Sequence, residues 1–263
     1  MMNIRTLCFF LVFAITASFA NKDKSQVTFG YRIGVVSTFP GNSGMFYNNR
    51  AKLIGVMANK SLFPAKAIRF ADNVNVILTK TIAQNVSQSY KQHEFIQLRP
   101  INPEDGLTGY FIDGSWGPET KAVTLKGIKK LFDKHNLDSL IAIVPVTYYL
   151  DDLKGEASGM NLTFNKNELV FSATYAILVY AKLNSRIVKV FSSLKQVHRS
   201  AVKLQQGLTT LNRYKTEHVN VYYKLLEESF APKVVEQIKG LLNGEPISAI
   251  FPAPSKPLFY FAK

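Results

Sequence analysis

The chain has 263 residues, 47% of them hydrophobic and 12% aromatic, with 32 Lys and Arg against 18 Asp and Glu for a formal net charge of +14. The apolar share is enough for a real core and excludes a disordered chain, while the cationic excess favours anionic partners and says nothing of fold. A lone cysteine, Cys8, excludes an internal disulfide framework and a Cys-based metal site.

The first twenty residues carry the three parts of a secretory signal: Arg5, an apolar run over 6–17, and small residues Ser18 and Ala20 at the cleavage positions. We expect residues 1–20 to be removed and the mature chain to start at Asn21, without a transmembrane helix. Cys8 has too little hydrophobic sequence ahead of it for a lipobox and would leave with the leader. An exported domain without disulfides points to a bacterial envelope, periplasmic or extracellular, because animal secreted domains usually carry them. Residues 21–263 contain no Pro/Gly/Ser-rich linker and read as a single domain.

The stretch YRIGVVSTFPGNSG at 31–44 opens with a β-branched run, 33–36, that suits a strand buried on both faces, and it ends in a turn cluster. The loop lacks the lysine of GxxxxGK[ST] and the spacing of GxGxxG, so no nucleotide and no other cofactor is expected there. Asp72 is placed to cap a helix whose Val74, Ile77, Leu78, Ile82, Val86 and Tyr90 recur at helical spacing. Residues 94–98 read as a short strand. A second helix is announced by Trp116-Gly117-Pro118-Glu119, with Pro118 at its first position and Val123, Ile128, Leu131 and Phe132 on its apolar face. The unbroken apolar run 140–144 follows as a central strand, and this alternation predicts βαβ units.

In the second half, 168–182 is a long strand, LNSR at 183–186 a turn and 186–191 a returning strand, which makes an antiparallel hairpin. No Asp or Glu occurs from 169 to 216, whereas Lys182, Arg186, Lys189, Lys195, Arg199 and Lys203 all fall there. Within it SSLKQVHRSAVKLQQG reads as a short helix with Ser193 as N-cap. Lys195, Arg199 and Lys203 would then form one stripe opposite Val197, Ala201 and Leu204. Residues 222–242 have helical spacing through Leu225, Leu226, Phe230, Val234, Ile238 and Leu241, with Pro232 expected to kink or split the helix. LFYFA near the end is a candidate edge strand.

The expected fold class is thus α/β, bordering on α+β: a mixed, partly parallel sheet flanked by helices, with an antiparallel hairpin in the second half. The segments YRIGVVSTFPG, DSLIAIVPVTYY and ATYAILVYAKLNSRIVKVF give an element order that resembles small α/β domains of bacterial envelope accessory proteins. These are the periplasmic domain of the curli secretion channel, the lipoprotein activators of peptidoglycan synthases and the N-terminal domain of the Tol-system translocation protein. The resemblance implies an exported, non-enzymatic accessory role. It carries no functional residue across, and the chain departs from those domains in lacking a lipidated cysteine and in its long inserts around 42–69 and 194–220.

The candidate anion- or partner-binding residues are therefore Lys182, Arg186, Lys189, Lys195, Arg199 and Lys203, on a face for an envelope protein or an anionic polymer. Such a face is also suited to peripheral contact with anionic lipid. Nucleic acid is disfavoured because no aromatic side chains interleave with the stripe. Asp113 and Trp116 form a second candidate loop. No catalytic set is identified: GNSG and GSWG each miss GxSxG, and His93, His135, His198 and His218 lack ligand spacing, so no metal is expected. The competing reading is a hydrolase assembled from Ser43 or Ser115, a histidine and a carboxylate.

Overall fold

The computed structural model of the protein describes residues 27–39, 44–47, 64–98, 118–150, 155–165, 168–203 and 216–252. The β-branched run forms β1 (Arg32–Ser37), whose Ile33, Val35 and Val36 are fully buried. It lies between β3 (Glu94–Gln97) and β4 (Ser139–Pro145), parallel to both. After β1 come β2 (Gly44–Tyr47) and helix α1 (Pro64–Ser89), and α2 (Pro118–His135) links β3 to β4. Parallel neighbours require such long crossovers, so the expected βαβ start is present.

The centre of the sheet is β7 (Glu168–Leu183), a strand of 16 residues. Its N-terminal half pairs with β6 (Gly155–Asn165) and β9 (Gln196–Lys203); its C-terminal half pairs with β4 and β8 (Arg186–Ser192), all antiparallel. With β5 (Thr147–Leu150) on β6, the nine-stranded sheet runs β2-β6-β7-β4-β1-β3, and β8 and β9 attach to β7 off that path. The β7–β8 hairpin turns at Asn184 and Ser185, whose φ of 47° and 63° match the twist of flanking strands. The architecture is a mixed α/β sheet with a second-half hairpin, as its pattern predicts.

Alternation along β7 divides the core in two. Leu169, Phe171, Ala173, Tyr175, Ile177 and Val179 face one side, with α1, α3 (Thr216–Leu225) and α4 (Ala231–Leu242) packed there. Ala176, Leu178 and Tyr180 face the other, against Ile128, Leu131 and Phe132 of α2. Period-2 and period-3.6 patterns thus meet at both interfaces.

Two local expectations are corrected and a third is met. Asp72 lies inside α1, which begins eight residues earlier at Pro64, so it caps nothing. The expected break at Pro232 is present: a π-helical turn (Leu226–Phe230) divides α3 from α4, which has the proline in its first turn, and Ala231 donates to the Leu226 carbonyl. That wider turn absorbs the proline, which has no N–H to give. The segment read as a helix capped by Ser193 is the strand β9, and Ser193 instead ties into the ladder, its N–H donating to the Ile177 carbonyl at 2.9 Å while its hydroxyl accepts the Ile177 N–H at 2.9 Å. Strands β2, β5 and β6 were not anticipated. The leader over 1–20 and the tail segment LFYFA lie outside the described residues, and no helix among those described is long and apolar enough to cross a membrane.

Behind α4 the short helix α5 (Ile247–Ile250) folds back so closely that a Cβ on Gly240 would meet Ile250 Cγ1 at 2.8 Å and Glu245 Oε2 at 3.2 Å. Gly240→Ala is expected to destabilise by about 1–3 kcal/mol through overpacking, read as an earlier urea midpoint. An unchanged midpoint would mean that α5 yields freely.

Candidate functional site

Directly opposed residues in a ladder share a face, so the register fixes where the basic residues project. Tyr180 opposes Lys189, Lys182 opposes Ile187, Ser172 opposes Arg199 and Glu168 opposes Lys203. Because Tyr180 packs against α2, the side chains of Lys182, Lys189, Arg199 and Lys203 all leave the sheet on the α2 side. All four are exposed, and α2 adds exposed Lys129, Lys130 and Lys134 on that side, with Asp133 among them. Arg186 opposes Leu183 and points to the other side, while Lys195 sits in the crossing between β8 and β9.

Of the stripe read from helical spacing, Arg199 and Lys203 share a face because an offset of four residues is also even, while Lys195 lies outside the strand. The rest of its expected geometry does not hold. Val197 and Ala201, expected opposite the cations, share their face; Gln196, His198, Ser200 and Val202 face the core side instead. Burial pushes the Tyr180 hydroxyl up to about 12, so beside Lys189 it is a neutral group and not a base.

On the opposite face of β9 the structure assembles a group that spacing did not reveal. His198 lies between Phe171 and Phe230, with ring centroids 6.2 and 5.5 Å away, and its Nε2 is 3.1 Å from Ser229 Oγ. A histidine beside a serine invites a nucleophilic reading, but no carboxylate orients the other ring nitrogen among the described residues. Burial, and secondarily the Lys233 ammonium, lowers the ring's pKa to about 4. It is neutral at pH 7 and serves as packing.

That shift has a sign that can be measured. The unfolded chain protonates His198 near its ordinary pKa while the folded chain resists until about 4, so the unfolded state binds more protons in between. His198 therefore costs no stability above pH ~6.5 and progressively more as pH falls from ~6.5 to ~4, reaching roughly 2 kcal/mol after allowance for the ring's partial exposure. Denaturation at pH 7 and at pH 4.5 should show this loss in the wild type and a smaller one in His198→Phe. Equal pH dependence in both would remove His198 as its source.

Of the other candidates, Ser43, Asp113 and Ser115 lie outside the described residues, as does Trp116. His93 Nδ1 is 2.9 Å from the Gly30 carbonyl, a local tie near the start of β1. No group of three or more His, Cys, Asp or Glu that would hold a metal occurs among the described residues.

No protein family and no curated protein matches the sequence. Solved structures similar to it include the hypothetical protein CT253 from Chlamydia trachomatis, at TM-score 0.37 and 12% identity over 81% of this chain and 97% of that one. Lipoprotein GNA1162 from Neisseria meningitidis follows at 0.28 and 9%, over 77% and 99% of the two chains. The LpoB C-terminal domain from Salmonella enterica scores 0.20 at 8% identity, over 72% and 92%. At these scores and identities nothing of their properties carries over to this chain.

Proposed function

We propose that the chain is an exported, non-enzymatic protein of the bacterial envelope, a single domain after loss of residues 1–20, that holds a protein partner or anionic polymer through its basic face. The observation that carries this reading is the lack of any Asp or Glu from 169 to 216, combined with a register that sends Lys182, Lys189, Arg199 and Lys203 to one side of the sheet. They stand in two groups, Lys182 and Lys189 beside the C-terminal half of β7 and Arg199 and Lys203 beside its N-terminal half, where Glu168 opposes Lys203, and their shared sign on one side favours an anionic partner.

The test is charge reversal. The triple variant Lys189→Glu, Arg199→Glu and Lys203→Glu is expected to lose retention on immobilised polyphosphate at low salt while keeping the wild-type circular dichroism. Retention equal to wild type would defeat the proposal. Export is tested separately: N-terminal sequencing of the protein from its own envelope should begin at Asn21, and a product starting at Met1 would refute it.

A further inference from the structure

At the C-terminal end of α4 we infer a site of spontaneous chemical modification: Asn243 loses its side-chain amide to attack by its own backbone, at a rate gated by Tyr90, and the product unseats α5. This stands independently of the basic face. Asn243 is the only asparagine of the chain followed directly by glycine, so no side chain crowds the peptide nitrogen after it. Water reaches the pair, Asn243 being exposed and Gly244 partly so.

The reaction consumes only water. The backbone nitrogen of Gly244 gives its proton to solvent and bonds to Asn243 Cγ; the Cγ–Nδ2 bond breaks, and Nδ2 takes up a proton and leaves as ammonia. Water then opens the five-membered imide. Breaking the new bond to Cγ leaves aspartate, whereas breaking the original peptide bond leaves isoaspartate, whose main chain runs through Cβ and Cγ.

The native turn holds this reaction back. Ring closure requires the Gly244 nitrogen to eclipse Cβ of Asn243, but with ψ at −7° it eclipses the Asn243 nitrogen instead. Hydrogen bonds keep it there. The Gly244 N–H donates to the Leu241 carbonyl at 3.2 Å, and Asn243 Nδ2 donates to Glu245 Oε1 at 3.2 Å. Tyr90, directly after α1, donates its hydroxyl to Asn243 Oδ1 at 2.5 Å and to the Lys239 carbonyl at 3.2 Å. Burial raises the pKa of that hydroxyl, the bond to Asn243 lowers it and the Glu245 carboxylate raises it again, with a net rise that keeps it a donor at neutral pH. Helix ends open locally at far less cost than the whole fold, and each opening here frees ψ to rotate. Tyr90 is the latch on that opening.

Either product loses the Nδ2 donor and sets a carboxylate beside that of Glu245, a repulsion in place of a hydrogen bond. Isoaspartate also inserts one backbone atom into the turn that the Glu245 N–H closes on the Gly240 carbonyl at 3.0 Å. Gly240 lies so close to Ile250 that a displaced turn carries α5 with it, and with α5 goes Phe251, whose ring centroid is 5.5 Å from that of Phe191.

The test is to incubate the full chain in warm, mildly alkaline buffer and to map its tryptic peptides by mass spectrometry, separating isoaspartate from aspartate by chromatography. Conversion is expected at Asn243 ahead of every other asparagine. Tyr90→Phe should convert about fivefold faster, the effect of one lost hydrogen bond on the opening equilibrium. Gly244→Ala should scarcely convert, although a φ of 66° strains an alanine there and loosens the cap, because its methyl crowds the attacking nitrogen. The isoaspartate species should lose hydrogen-exchange protection at Glu245 and Phe251, whose N–H groups bond to the Gly240 and Ile247 carbonyls.

An Asn243 that stays intact, alone or while another asparagine converts, would overturn the site. A Tyr90→Phe chain that converts no faster would overturn the latch; if that variant misfolds, a capped peptide of residues 240–247 that converts no faster than the folded chain does the same. Unchanged exchange at Glu245 and Phe251 in the isoaspartate species would overturn the release of α5.

Discussion

Truncating Phe230 to alanine is expected to lower folding stability by about 4 kcal/mol, within the range for emptying a buried phenylalanine site. The ring is fully buried and sits where three elements meet, 5.0 Å from Tyr175 and 6.0 Å from both Phe39 and Phe171, measured between centroids. It hangs from the π-turn, held on one side by α4, so little can collapse into the space. Urea unfolding would show an earlier midpoint at unchanged slope. The exposed Val188, changed to alanine, should shift stability by no more than about 0.5 kcal/mol. Similar effects at the two positions would mean that the packing around the π-turn is not a structural centre.

Asn75→Leu is the second large loss, expected at about 3 kcal/mol although leucine is the more hydrophobic residue. The Asn75 amide is buried behind the C-terminal end of β1, where its oxygen accepts from the Ser37 hydroxyl at 2.6 Å and from the Phe39 N–H at 3.0 Å, while its nitrogen donates to the Phe39 carbonyl at 2.9 Å. Leucine would strand three buried polar groups, each costing about 1–3 kcal/mol when left unpaired, offset in part by its own burial. Ser37→Ala removes one partner and leaves the two bonds to Phe39, so its loss should be near 1 kcal/mol. If chemical denaturation ranked Ser37→Ala as the more damaging change, the amide would not be what fastens this chain end to α1.

Both positions also show what could be read without coordinates. Elements whose burial follows from their own periodicity were legible: β1, α1 from Val74 to its end at Ser89, β4, the start of α2 at Pro118, and the β7–β8 turn at Asn184 and Ser185. Phe230 was assigned to a core helix face, but nothing in its neighbours announced a π-turn, because the proline that demands it is compatible with a kink as well. β9 failed for a physical reason. Its Val197 and Ala201 recur at a spacing that suits one helix face, and its strand identity depends on β7 offering an unfilled edge to which Gln196, His198, Ser200 and Val202 can bond. β6 is similar: GEASGMNLTFN has little pattern of its own and takes its place from the same long partner.

Within the candidate site the cations were recognisable by charge alone, since a stretch of 48 residues from 169 to 216 without acids is visible in any fold. What could not be read was which of them stand together. Arg186 belongs to the same run and points the other way, because the side of a sheet is set by register with Leu183 and not by composition. The His198–Ser229 pair was invisible for a related reason, its members being 31 residues apart and joined only by packing.

Four strands lean on β7, and two of them, β4 and β6, are complete in sequence before it begins. A chain that emerges from its N-terminus, whether from a ribosome or through a secretory pore, can therefore join β1, β3 and β4 but has nothing to close the sheet with until residue 183 is out. Until then the oily side of that parallel trio awaits α3 and α4, which come later still, so contact order is high and spontaneous early folding is slow. The arrangement that makes the finished sheet continuous also keeps its precursor open for as long as β7 is unmade.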